Sequence, residues 1–226
     1  MPSSRSFDDH ASSYRADMHD ALGRFGGESS YYLSEKVRLL AHQFGAERPR
    51  RILDFGAGIG QAVPFLLETF SPDVLVCADE SKESLRALRT TYPGVMAVEL
   101  NELDYGVFDL VFVANVLHHV DKKDRAELVR DLCQRLSPGG VIAVFEHNPI
   151  NPLTRRIVSN CVFDEGVVLL SAREVKGFLR SIKGIEVERS GYCLFVPEPL
   201  KKLNWLEGAL RWLPLGGQHF VLARRS

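Results

Sequence analysis

No run of 18 apolar residues occurs anywhere in this chain of 226, so no segment reads as a membrane-spanning helix. The opening stretch, MPSSRSFDDH, has no apolar h-region, and a secretory leader is not expected. Cysteine is sparse. Cys77, Cys133, Cys161 and Cys193 are scattered and form no CxxC pair, so neither a zinc site nor a disulfide framework is read. Cys77 and Cys133 sit in apolar contexts that predict burial, which suits a reduced cytoplasmic protein. Charge of either sign is not in excess. With 28 basic and 29 acidic residues the formal net charge is -1, and nothing global favours nucleic acid or an acidic surface as partner. Internal repeats and low-complexity tracts are missing as well. What is present is 45% hydrophobic content in a length that suits one buried core with appended helices.

From Arg51 onward the pattern alternates. Strands are expected at 51–55, 73–79, 95–100, 108–115 and 141–147, with helices at 60–70, 81–92 and 122–136 between them. Ser81 is the expected N-cap of the second helix, and Ser137-Pro138-Gly139-Gly140 the stop of the third. FDLVFVAN (108–115) is apolar nearly throughout, as a parallel strand covered on both faces should be. Residues 148–172 form an insertion after strand five. A helix near 172–181 is followed by two last strands, 184–196 and 218–225. Between those strands LKKLNWLEGALRWL (200–213) reads as a helix with Leu203, Leu206, Leu210 and Leu213 on one side. The expected fold is α/β, a doubly wound sheet. Residues 1–48, helical with a Gly26-Gly27 break, form an expected lid ahead of a domain over 49–226.

ILDFGAGIG (52–60) carries the chemistry. A strand ends near Asp54 and opens into Gly56, Gly58 and Gly60, the kind of loop that holds a nucleotide. The dinucleotide fingerprint GxGxxG requires a third glycine at position 61, which is Gln61. Asp54 helps to decide between ligands. At about 6 Å and an effective dielectric near 20, its charge would oppose each unit of pyrophosphate charge by roughly 3 kcal/mol. The ammonium and sulfonium of S-adenosyl-L-methionine would instead be attracted. Asp79, at the end of the second strand, is placed to accept both ribose hydroxyls; its other reading is a solvated loop acid.

ILDFGAGIG, VCADES, GVFDLVFVANVLHHV and LSPGGVIAVFEHN occur in the order and at nearly the spacing of the motifs of class I S-adenosylmethionine-dependent methyltransferases, and residues 50–147 resemble that family. FDDHASSY resembles a segment that precedes the core in many small-molecule members. The resemblance implies a seven-stranded Rossmann-like methyltransferase sheet with its last strand antiparallel. It implies S-adenosyl-L-methionine as methyl donor and S-adenosyl-L-homocysteine as product. The glycine loop (Gly56, Ala57, Gly58 and Gly60) would approach the methionine portion, with Asp54 near its ammonium. Asp79 and Glu80 would lie at the ribose, and Asn115 where donor and acceptor meet. The link NELDYGV between strands three and four is shorter than in the family pattern. Glu99, Leu100 and Asn101 are therefore candidates for adenine contacts, set against a plain turn.

Methyl transfer is an in-line displacement from a good leaving group, so holding the acceptor and excluding water are the main tasks. A base is needed when the acceptor is a hydroxyl or a protonated amine. Glu146 and His147 end strand five, and adjacent strand residues point to opposite faces, so one of them is expected in the pocket. His147 is the preferred base, with His119 the alternative; the His118-His119 pair also reads as a fold-stabilising element. The resemblance makes Tyr14 a lid tyrosine near the transferring methyl. Tyr31, Tyr32 and Lys36 are candidates for the same lid, Lys36 toward the donor's carboxylate, although 29–44 also reads as an ordinary covering helix. The spacings of the histidines support no metal geometry.

Segments 148–172 and 197–216 are the expected roof of the acceptor site, with Phe163, Trp205 and Trp212 as aromatic members or plain core. Segment 200–213 also suits rest on a membrane surface, given its Trp and Lys content, and Arg155-Arg156 suits an acceptor anion or a solvated turn. The leading reading is an enzyme that methylates oxygen or nitrogen of a small-molecule acceptor. Alternatives are a non-catalytic binding partner that holds the donor, an enzyme acting on a lipid-linked sugar or nucleic acid, and a dehydrogenase. NVLH stands where amino-methylating DNA enzymes carry Asn/Asp-Pro-Pro-aromatic, and no basic stripe is seen. Neither nucleic acid nor stable membrane insertion is expected.

Overall fold

The computed structural model describes residues 29–45, 47–161, 164 and 166–226. Helix α1 (Ser29–Phe44) leads into β1 (Arg51–Phe55), α2 (Val63–Phe70), β2 (Val74–Ala78), α3 (Lys82–Thr91), β3 (Met96–Val98) and β4 (Phe108–Ala114). Then come α4 (Arg125–Arg135), β5 (Leu136–His147), α5 (Pro152–Ser159), α6 (Ala172–Arg180) and β6 (Ile185–Cys193). A 3-10 helix (Glu198–Leu206), the short α7 (Glu207–Leu210) and β7 (Gln218–Arg225) complete the chain.

The strands form one sheet in the order β3-β2-β1-β4-β5-β7-β6. Strands β1 to β5 pair in parallel, and β7 runs antiparallel between β5 and β6. Alternate residues of the central strands point to opposite faces and seed two cores. Leu53, Val111, Val113, Ile142 and Val144 pack against α4 and α6 residues such as Leu132 and Leu179. Ile52, Leu110, Phe112, Ala143 and Phe145 pack against α1 and α2 residues such as Val37, Leu40 and Leu66. All four cysteines are buried and free. No described helix is long and apolar enough to cross a membrane.

Three segments differ from expectation. The Ser137-Pro138-Gly139-Gly140 stop does not separate α4 from β5, because the strand already begins at Leu136. Its register against β4 shifts between Phe108 and Leu110. A Cβ on Gly140 would stand 2.6 Å from the Phe108 carbonyl oxygen, so glycine lets the two backbones cross closely. The insertion after β5 opens with the helix α5. Asn151 caps α5 by accepting from the N–H groups of Leu153 and Thr154 at 2.8 and 3.1 Å. The expected helix over 200–213 is instead a 3-10 turn with a non-helical residue at Leu200, followed by one α turn. The Glu207 carboxylate holds it to the wall by accepting from the N–H groups of Leu194, Phe195 and Val196.

Candidate functional site

At the carboxyl edge of the sheet, where β1 and β4 diverge to opposite sides of the strand order, lies a cavity of about 440 Å³. The glycine loop forms its floor. β1 is inserted between β2 and β4, so the loop must turn sharply as it leaves the sheet. Gly56 has φ +71°, and a Cβ there would meet Val116 Cγ2 at 2.4 Å. Gly58 has φ +53° with open space where its Cβ would be. The Gly58 N–H donates to Asp79 Oδ2 at 2.8 Å, and Asp79 Oδ1 accepts from Ser81 N–H at 2.9 Å. Asp79 thus ties the loop to the end of β2, a role sequence reasoning did not assign.

Asp54 is 3% exposed, and its Oδ2 is buried with no hydrogen-bond partner among the described residues. Burial, reinforced by the charge of Asp79, pushes its carboxyl up to about 7, against the pull of Lys36. Lys36 reaches in from α1, 2% exposed, with its ammonium 5.9 Å from the centre of the Phe145 ring. Burial lowers the Lys36 ammonium to about 8, against the attraction of Cys193, Glu146 and Asp54.

Asp54, Gly56, Ala57, Gly58, Asp79, Glu80, Leu100, Asn115, His119 and His147 all line this cavity. Gly60, Glu99 and Asn101 do not. Gly60 has φ +81°, and its Cβ position is closed by Leu88 and Tyr92 at 3.1 Å; it shapes the loop and packs α3 below it. Glu99 pairs with Lys82 at 3.2 Å and caps the 3-10 turn Leu100–Glu102. Tyr14 and Phe163 lie outside the described residues.

Of the two residues that end β5, His147 lines the cavity and Glu146 does not. Glu146 is fully buried. Its Oε1 accepts from the N–H groups of Val116 and Leu117, and its Oε2 stands 2.6 Å from His118 Nδ1. His118 Nε2 lies 3.3 Å from Asp164 Oδ1. An imidazole that donates to two carboxylates must be protonated. Burial opposes the His118 charge, but the two acids override it and hold the imidazolium up to about 9. Burial likewise opposes the Glu146 charge, and His118 overrides it, keeping the carboxyl down at about 2. Glu146, proposed from sequence as a catalytic carboxylate, therefore anchors the loop after β4. His118, His147 and Asp164 bring ligand-type atoms within 4.8 Å of one another.

His147 is held neutral. Burial and the neighbouring His118 charge lower it to about 3, and the same two causes lower His119 to about 4. The antiparallel register sets His147 opposite Gln218. Gln218 Nε2 donates to Asn115 Oδ1 at 2.9 Å and lies 3.5 Å from His147 Nδ1, while its Oε1 is buried without a partner among the described residues. Gln218 was missed from sequence, since only the pairing of β7 with β5 brings it here. Asn115 has φ +60°, a conformation asparagine tolerates better than most residues.

The upper wall joins the two expected acceptor segments. Asn148 Nδ2 donates to the carbonyls of Pro214 and Gly216, Asn151 Nδ2 to that of Leu215, and the Thr154 hydroxyl to that of Gly217. From α1, the Tyr31 hydroxyl lies 2.8 Å from Asn204 Oδ1 and 3.0 Å from the Val196 carbonyl, donating to one at a time. Trp205 and Trp212 do not roof the cavity. They are 74% and 76% exposed and face outward, because Asn204 and Glu207 take the inward positions.

Residues 53–142 match a family model described as a methyltransferase domain. The chain is 29% identical over 210 residues to the trans-aconitate 2-methyltransferase of Acidovorax sp. (strain JS42), covering 84% of this chain and 79% of that one. A SAM-dependent methyltransferase from Archaeoglobus fulgidus superposes with a TM-score of 0.62 at 18% identity, covering 88% of this chain and 95% of that one. Another from Mesorhizobium loti gives 0.60 at 22% identity, covering 84% and 98%. Residues 53–142 carry a methyltransferase domain, and the fold is that of the S-adenosylmethionine-dependent methyltransferases on which the chain superposes. The enzyme's methyl donor is accordingly S-adenosyl-L-methionine, and the cavity suits it: a buried, unpartnered carboxylate oxygen on Asp54 calls for a cation, and the open side of Gly58 lets a ligand approach the backbone.

Proposed function

We propose that this methyltransferase moves a methyl group to an oxygen or nitrogen of a small, largely apolar acceptor. The observation that carries the reading is the charge inventory of the cavity. Lys36 is the one lysine or arginine among the described residues that line it, and it stands beside Asp54 on the donor side. The rest of the wall includes Leu33, Leu153, Ile157, Leu194, Phe195 and Leu215. A donor amino acid end, with one ammonium and one carboxylate, matches Asp54 and Lys36 in turn. Among the described residues no further lysine or arginine stands on that wall for an acceptor with several carboxylates, and an unpaired buried charge is costly. This favours an acceptor less charged than the one named for the Acidovorax relative.

The donor supplies an electrophilic methyl on a sulfonium. The chain's own residues do the remaining work. Asp54 and Lys36 orient the donor's charged end, Asp79 and Glu80 serve the ribose, and Leu100 bounds the adenine side. Asn115 and Gln218 present amide groups where donor and acceptor meet. His147, neutral at the cavity wall, accepts the acceptor's proton at its unprotonated ring nitrogen, with His119 as the second candidate. Their low basicity restricts them to acidic acceptors, such as phenols and carboxylic acids, or to acceptors that arrive ionised.

Calorimetric titration with S-adenosyl-L-methionine, S-adenosyl-L-homocysteine and NAD tests the donor site; binding of the first two and not of NAD is expected. Transfer of a labelled methyl group is then compared between a panel of aryl carboxylic acids and phenols and trans-aconitate. Efficient methylation of trans-aconitate, with none of the apolar panel, would overturn the acceptor reading while leaving the donor site intact.

A further inference from the structure

Both ends of segment 197–215 lie on the cavity wall, at Pro197 and Leu215, while Trp205 and Trp212 between them turn outward. Leu200, Leu203, Trp205, Trp212 and Leu215 are all exposed large apolar side chains. Leu200 stands at the kink of the 3-10 segment and Leu203 three residues further on. Trp205 lies at the end of the 3-10 segment and Trp212 just beyond α7, and they are 74% and 76% exposed. The patch continues onto α5 and the residues before it, where Ile150 and Leu153 are also exposed. Leu153 and Leu215 belong both to the patch and to the cavity wall. The apolar surface thus runs to the cavity mouth.

Its cations distinguish it from an ordinary protein interface. Residues 150–159 and 198–215 hold five basic residues (Arg155, Arg156, Lys201, Lys202 and Arg211) against two acidic ones in a chain whose net charge is -1. Of the two acids, Glu207 is turned inward onto the backbone. Lys201, Lys202, Arg155 and Arg156 are exposed beside the leucines and tryptophans. Cores of protein–protein interfaces are depleted in lysine, whereas apolar and indole side chains set among lysines and arginines suit the interface of an anionic bilayer. We propose that this face is a docking surface for an anionic lipid bilayer, which holds the cavity mouth against the headgroups without any spanning segment. The surface is independent of the identity of the acceptor, and it gives an apolar acceptor dissolved in the bilayer a short route to the site.

The chain has two tryptophans, and both lie in the patch, so intrinsic fluorescence of the full chain reports on it directly. The free protein should emit as water-exposed indole does. Adding vesicles of phosphatidylcholine mixed with phosphatidylglycerol should shift the emission to the blue and protect it from iodide, and raising the salt should reverse this. Phosphatidylcholine alone should do neither. The double variant Lys201→Glu/Lys202→Glu should lower partitioning roughly tenfold or more. Trp205→Ala/Trp212→Ala, followed by co-sedimentation, should do the same, and unchanged donor binding by calorimetry would show that both variants are folded. Emission unmoved by anionic vesicles, with the protein left in the supernatant, would overturn the proposal. So would a free-protein emission that is already blue and depends on protein concentration, since a second copy would then cover the face.

Discussion

Replacing Asp54 with asparagine keeps the shape of a buried side chain and removes its charge, with opposite expected effects on binding and on stability. In the ligand-free protein the carboxyl is pushed from 3.8 up to about 7 by burial and by Asp79. Because the folded value is the higher one, the folded state's hold on the proton favours folding fully below about pH 4 and is lost as the pH rises through about 7. At 1.36 kcal/mol per unit, the ionised carboxylate costs on the order of 4 kcal/mol of stability at pH 8. The ligand-free Asp54→Asn variant should therefore be more stable than the parent at pH 8, with the advantage vanishing near pH 4. Donor binding should move the other way. An ammonium about 4 Å away at an effective dielectric near 20 attracts the carboxylate by about 4 kcal/mol before desolvation. Removing one partner of such a pair costs about 2–5 kcal/mol, or roughly 30-fold to several thousandfold in Kd. In the parent, donor affinity should fall about tenfold per pH unit below 7, because binding takes the ionised form. Urea denaturation across pH 4–8 and calorimetry with S-adenosyl-L-methionine measure the two effects. A variant that binds the donor as tightly as the parent, or is no more stable at pH 8, would refute the reasoning.

Gly56→Ala places a methyl 2.4 Å from Val116 Cγ2 at a φ of +71°; strain and overpacking together should lower stability by about 2–6 kcal/mol, read as a drop in Tm and a loss of donor binding. Glu146→Gln strands the His118 imidazolium beside Asp164 and should cost about 3–5 kcal/mol in urea denaturation at pH 7. The His118 contribution is complete below its ordinary value near 6.5 and lost as the pH rises through about 9; that of Glu146 is complete above 4.5 and lost as the pH falls through about 2. Parent stability should consequently decline from pH 7 to 10 more steeply than that of His118→Asn. His147→Ala should lower kcat roughly a hundredfold with donor Kd unchanged in calorimetry, whereas Lys36→Met should weaken donor binding and leave the pH dependence of kcat alone.

The sheet was legible because its signals are local. Apolar runs such as 108–114 and the glycine turn at 56–60 carry their own geometry, and Ser81 caps α3 as its side chain predicts, accepting from Ser84 N–H. The misread segments are those where a distant group decides. Gly139 and Gly140 read as a stop, yet the approach of Phe108 makes that stretch part of β5. The leucines of 200–213 show a helical period, yet the Glu207 carboxylate draws the segment onto the Leu194–Val196 backbone and fixes a 3-10 path.

The candidate site divides along the same line. Asp54, Asp79 and Asn115 end adjacent parallel strands, so strand order alone brings them together, and a reader of the sequence needs only the alternation of β and α to place them. Lys36 and Gln218 reach the cavity from α1 and from the antiparallel β7, elements that join the sheet only through long-range packing. Glu146 and His147 show the limit most clearly. Strand alternation separates them correctly, but it cannot say which side holds water and which holds His118. That depends on Val116 and Leu117, whose N–H groups need an acceptor once the loop after β4 turns inward. With Glu146 committed to them, the chemistry of the acceptor side falls to neutral groups, His147 and Gln218. On the proposed reading, a wall of neutral and apolar side chains selects against highly charged acceptors more strongly than any single residue in it could select for one.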